Sequence, residues 1–119
     1  MGFKFERLDV WRRSIDFADA LFQVADALSQ KYQFSLGEQL RRAALSIPTN
    51  IAEGSGRDSS KSRSYFYQIA KGSVYETASL LVMLGKRGLL SREAYRTHYN
   101  EANEIAAILT RLANSEHPT

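Results

Sequence analysis

Residues 36–57 read LGEQLRRAALSIPTNIAEGSGR. Leu40, Ala43, Ala44, Ile47 and Ile51 recur at three- and four-residue spacing, which places them on one face of a helix. Ser35 precedes the stretch as an N-cap and Glu38 stands at the third position, so a capping box predicts a start near residue 36. Gly54 and Gly56 predict the stop. Pro48 brings no amide donor and crowds the preceding turn, so a kink is expected there, or a restart capped by Ser46. A helix with one apolar face must bury it, and no stretch of the chain shows strand alternation. The partners must therefore be other helices.

Three further amphipathic stretches supply them. Leu8, Trp11, Ile15, Ala18, Phe22 and Ala25 form an alternating three-four seam, with Leu21, Val24 and Leu28 as a second stripe beside it. Phe3 and Phe5 precede this helix and are expected to fold back on the core or on a neighbouring subunit. Beyond residue 58, with Asp58, Ser59 or Ser60 as cap, Phe66, Ile69, Ser73, Glu76, Leu80 and Met83 hold the same spacing. Gly72 and Ser73 predict close approach of a neighbouring helix. Gly85 and Gly88 bracket the exit. Ser91 caps a last helix with Tyr95, Tyr99, Ala102, Ile105, Ala106, Leu109 and Leu112 on its inner face. The predicted helices span residues 7–32, 36–54, 59–86 and 91–114. Short connections favour antiparallel neighbours. The expected fold is all-α, an antiparallel up-down-up-down four-helix bundle formed by a single domain over residues 1–119.

The 119 residues contain no cysteine, which excludes disulfides and thiolate metal sites. The start, MGFKFERLDVW, has no apolar signal-peptide core. No apolar run approaches the roughly 20 residues of a membrane span. Charge is uneven. Residues 36–92 carry nine basic and four acidic side chains, a net of +5, and residues 93–119 carry two and four, a net of −2. That excess suits nucleic acid or an acidic protein. It is equally what a solvated surface with a mild basic bias looks like.

Catalysis finds little support. The two histidines are His98, beside Glu101 and Glu104, and His117 near the end of the chain. No Glu-x-x-His pair and no GxxxxGK[ST] phosphate loop occur. No catalytic residue, metal site or cofactor is expected. Glu76 is the odd member of the third seam, because a charge facing a core needs a partner. Arg41, Arg42 and Asn50 are available from the second helix. We read Arg41, Arg42, Asn50, Glu53, Ser73 and Glu76 as a structural polar cluster that sets helix register. Contact with a ligand or nucleic acid is the other reading. Arg57, Lys61 and Arg63, interleaved with serines, form a loop able to hold phosphate oxygens, or simply a soluble turn. Lys71 is a further nucleic-acid candidate. Lys86 and Arg87 belong to a separate patch at the other end. The chain has more aromatic residues than one four-helix core holds. Tyr67 and Tyr75 fall off the main face, as subunit-interface tyrosines do.

Three blocks carry a family resemblance. They are LDVW at 8–11, LGEQLRRAA at 36–44 with SIPTNIAEG at 46–54, and IAKGS at 69–73 followed by Glu76. With them the chain closely resembles the four helix bundle proteins encoded in intervening sequences of bacterial 23S ribosomal RNA genes. The resemblance implies a bacterial, cytoplasmic, non-enzymatic protein that assembles as a ring-like homopentamer. It is also similar to the accessory protein of diversity-generating retroelements, a basic pentamer that contacts reverse transcriptase and nucleic acid. Five copies of this chain would total a formal +15. Two functions compete at this point. One is RNA or DNA binding through a basic surface, with Arg57, Lys61, Arg63 and Lys71 contributing. The other is a protein-interaction or scaffold subunit with no affinity for nucleic acid.

Overall fold

Amphipathic stretches in water settle by burying their apolar faces on one another, and four of them do so here. The computed structural model describes residues 2–116. Its long helices are α1 (Asp9–Asp26), α3 (Glu38–Ser55), α4 (Ser60–Lys86) and α5 (Arg92–Ser115), while α2 (Gln30–Tyr32) is a single turn. Successive long helices run antiparallel as an up-down-up-down bundle. In it α3 packs on α1 and α4, α4 packs on α5, and a thinner α1–α5 contact closes the square. Leu21, Leu40, Ile47, Ile51, Leu81, Leu84, Ile105 and Leu109 are fully buried at its centre.

The helix ends show why the chain turns where it does. Ser59 caps α4 by accepting from the Ser62 amide at 3.0 Å, and Ser91 caps α5 by accepting from Ala94 at 3.1 Å. Gly88 adopts φ +71°, and the Leu89 amide donates to the Leu84 carbonyl at 2.9 Å, so α4 closes in a Schellman turn.

Four local expectations need correction. The first helix does not run unbroken to residue 32: α1 stops at Asp26. The Gln33 side chain donates to the carbonyls of Ala25 (2.9 Å) and Leu28 (2.6 Å) and satisfies that end. Ser35 does not cap the next helix, because a π-helical turn over Gln33–Gly37 runs straight into α3 and leaves no free first turn to cap. The buried face of α4 is Ser64, Tyr67, Ala70, Ser73, Val74, Thr77, Leu81 and Leu84, centred one residue on from the predicted seam and sharing only Ser73 with it. One residue turns a helix by about 100°, so Phe66, Ile69 and Leu80 are only half-buried, and Glu76 and Met83 lie exposed. Tyr67 is accordingly core, and burial pushes its phenol pKa up.

The close helix approach also lies elsewhere. Nothing comes within 4 Å of a Cβ built on Gly72. A Cβ on Gly54 would sit 2.9 Å from Phe66 Cβ and 3.0 Å from the Tyr67 ring, so α3 and α4 meet most tightly there. At the N-terminus Phe5 packs on Trp11, with ring centroids 4.8 Å apart. Phe3 stacks on Phe5 and stays largely exposed.

Candidate functional site

The polar residues of α3 divide among several places. Pro48 sits inside α3, buried, without ending it. A proline removes one ladder donor and loosens the turn before it. Thr49 Oγ1 donates to the Leu45 carbonyl and Asn50 Nδ2 to the Ser46 carbonyl, each at 2.8 Å. Neither bond replaces the lost one, since an amide at position 48 would have served the Ala44 carbonyl. Asn50 also donates to Ser46 Oγ (2.9 Å), which lies 2.8 Å from Ser73 Oγ on α4. This small Ser46–Asn50–Ser73 network is what the structure assembles of the expected cluster.

Of the other four members, Arg41 and Glu53 lie apart, while Arg42 and Glu76 border the network at the surface beside Ser46. Arg41 turns to α1, donating to Asp26 (2.7 Å) and to Gln33 Oε1 (2.5 Å), and ties the α1–α3 corner. Glu53 accepts from Arg57 at 2.8 Å. Arg42 and Glu76 are exposed and line, with Gln39, Ala43 and Ser46, a polar surface hollow of about 410 Å³. Glu76 does not face the core, because the α4 register turns it outward.

The basic loop is partly spent on holding itself together. Arg63 donates to Glu116 at 2.9 Å and to the carbonyls of Arg57 (3.0 Å) and Asp58 (2.9 Å). Ser60 also donates to Glu116. The Arg63 guanidinium holds the Glu116 carboxyl below the usual carboxylate range, and the carboxylate in turn raises the arginine. Besides pairing with Glu53, Arg57 lies over the Phe66 ring at 4.6 Å. Lys61 is exposed and forms no ion pair among the described residues.

A second basic surface joins residues that the sequence offered separately. The groove between α4 and α5 holds two hollows in line. One, of about 190 Å³, is bounded by Val74, Tyr75, Ala78, Tyr99, Asn103 and Ala106 among others. The next, of about 390 Å³, is bounded by Val82, Gly85, Lys86, Leu90, Arg92 and Tyr95. Lys71 stands over the Tyr75 ring at 5.7 Å, and Tyr95 and Tyr99 lie 5.5 Å apart. Lys71 and Tyr75 were visible as candidates. Lys71 and Lys86 share α4, and the antiparallel turn at Gly88 brings Arg92 of α5 to the same groove.

His98 is half-buried in a hollow of about 300 Å³ between α1 and α5, with Asp16, Phe17, Ala20, Glu101 and Glu104. Burial lowers its pKa. His117 lies outside the described residues. Among the described residues no three His, Asp or Glu side chains are grouped to hold a metal ion, and no helix is long and apolar enough to cross a membrane.

Comparison with known proteins places this geometry. The crystal structure, at 1.70 Å resolution, of a protein with unknown function from the S23 ribosomal protein family of Bacteroides thetaiotaomicron VPI-5482 superposes with a TM-score of 0.82. It is 25% identical and covers 87% of this chain and 97% of its own. No curated protein matches the chain. The pattern described as 23S rRNA-intervening sequence protein matches residues 6–111, and that family is a non-catalytic one. With the match spanning all four helices, the chain belongs to the 23S rRNA-intervening sequence protein family.

Proposed function

We propose that the protein is a cytoplasmic, self-associating homopentamer that binds RNA or DNA through a basic surface. The observation that carries this reading is a division among its cations. Arg12, Arg13, Arg41, Arg57 and Arg63 are engaged with carboxylates. The other eleven basic side chains, Lys61, Lys71, Lys86, Arg92 and Arg96 among them, form no ion pair among the described residues, which leaves these five open to phosphate. Phosphate contacts release counterions, so such binding weakens steeply with salt. In this reading Lys61 and Lys71 contact phosphate directly, Arg57 contributes by leaving Glu53, and Arg63 shapes the loop. Arg41, Asn50, Glu53 and Ser73 are bonded within the chain, and Arg42 and Glu76 stand on its surface.

Fluorescence anisotropy with labelled RNA and DNA oligonucleotides, from 50 to 200 mM salt, tests the binding. Affinity is expected to fall across that range, and K61Q and K71Q to flatten the fall. Salt-independent binding, or none, removes the reading. Light scattering tests the assembly, where five copies of 13.4 kDa give about 67 kDa.

A second reading is a scaffold that binds protein. It is favoured by the exposed Phe3, Phe34, Leu45, Tyr65 and Met83. A reverse transcriptase as partner rests on the resemblance to the retroelement accessory protein alone.

A further inference from the structure

We propose that the groove between α4 and α5 takes a single-stranded nucleic acid, with phosphates on Lys71, Lys86, Arg92 and Arg96 and bases against Tyr75 and Tyr99. This rests on the nucleic-acid reading above and adds where the strand lies and which form of it fits. No acidic residue lines either hollow of the groove. The opposite groove, between α1 and α5, is lined by Asp16, Glu101 and Glu104. The two sides of α5 therefore carry opposite charge, and only one suits a polyanion. Arg92, Arg96, Tyr99 and Asn103 follow each other at three- and four-residue spacing, so they share a face of α5.

The aromatic side chains decide between single strand and duplex. Tyr75 is 63% exposed, so its ring is largely uncovered, while Tyr99 is 36% exposed and packs one side on Tyr95. Lys71 already stands over one of them. Cations beside open tyrosine rings are the elements with which proteins hold unpaired bases and their phosphates. Inside a duplex the base faces are stacked on one another and unavailable to a ring. Ala78, Gly85 and Ala106 keep the floor low, so the hollows stay open between the two helices. From Lys71 to Lys86 the groove runs 15 residues of α4, roughly 22 Å at about 1.5 Å per residue, room for about four nucleotides.

The test uses the full chain with three labelled probes: a 12-mer of uridine, a 12-mer of thymidine and a 12-base-pair RNA duplex. Both single strands are expected to bind at least about tenfold more tightly than the duplex, and their ratio reports whether the 2′-hydroxyl matters. Y75A and Y99A are each expected to weaken single-strand binding about 5- to 150-fold. Neutralising Lys71, Lys86, Arg92 and Arg96 together is expected to reduce the salt slope by about 3. Tyr75 covers no core residue, so Y75A keeps the fold and decides the matter alone should Y99A unfold. Equal affinity for the duplex, or unchanged binding by folded Y75A, overturns the groove while the nucleic-acid reading stands. Binding of none of the probes at 50 mM salt overturns both. A changed particle mass of Y75A with wild-type affinity marks the groove as a subunit contact and overturns the proposal as well.

Discussion

Arg63 and Glu116 show how a basic residue in a suggestive loop turns out to be occupied. Their side chains are mostly buried against the bundle end, at 24% and 19% exposure, and the arginine also bonds two loop carbonyls. The pair has a pH signature. The Glu116 pKa lies below its ordinary 4.5 because Arg63 donates to the ionised form. Between the folded and unfolded values the unfolded chain binds more protons, so stability rises with pH there. The contribution is full above 4.5 and is lost as pH falls through the lower folded value. Thermal melts of E116Q should therefore show a lower Tm at pH 7 and a flatter acid limb below pH 4.5. An acid limb as steep as wild type would assign the acid loss to other carboxylates. The serine-rich composition of this loop was readable from the residues. Glu116, more than 50 positions away, was not, because nothing local in the chain says which acid the arginine will meet.

At the scale of elements, the α3–α4 contact carries the sharpest prediction. Gly54 has Phe66 Cβ in the space its own Cβ would need, and neither atom is the tip of a flexible side chain. G54A should cost about 1–3 kcal/mol by forcing the helices apart. G72A faces open space in mid-helix and should stabilise by about 0.5–1 kcal/mol. Chemical denaturation of the two variants measures both signs, and an equal response would show that α4 is set differently against α3. The sequence pointed to the wrong glycine because α4 carries two adjacent stripes of three-four spacing. Periodicity alone does not choose between stripes about 100° apart. Packing chose, since α4 must serve α3 on one side and α5 on the other. The same rotation brought Tyr67 into the core and turned Glu76 out to solvent.

Across the whole molecule the four sides of the bundle are unequal. The α1–α5 side is the thinnest and is bridged by Arg13, which donates to both carboxylate oxygens of Glu101 and to Glu104. The two acids raise the arginine pKa further, so the guanidinium keeps its charge at every accessible pH. R13A should cost about 1 kcal/mol, a value set by partial exposure. It should also speed amide exchange in α1 more than in α3, which has neighbours on both sides. Exchange measured by mass spectrometry checks this, and uniform acceleration would mean that the bundle opens as one unit.

The presence of four long helices, the approximate ends of all but the first, and the serine caps of α4 and α5 were determined by the sequence alone. Apolar spacing, hydroxyl caps and glycine stops act over a few residues, and such local preferences are written directly in the chain. The rotation of α4, the breakup of the expected polar cluster, the capture of Arg63 by Glu116 and the placing of Arg92 beside the α4 lysines were decided only by tertiary structure. Each depends on which faces of distant segments share one core, and that is a property of the packed assembly of helices rather than of any one of them.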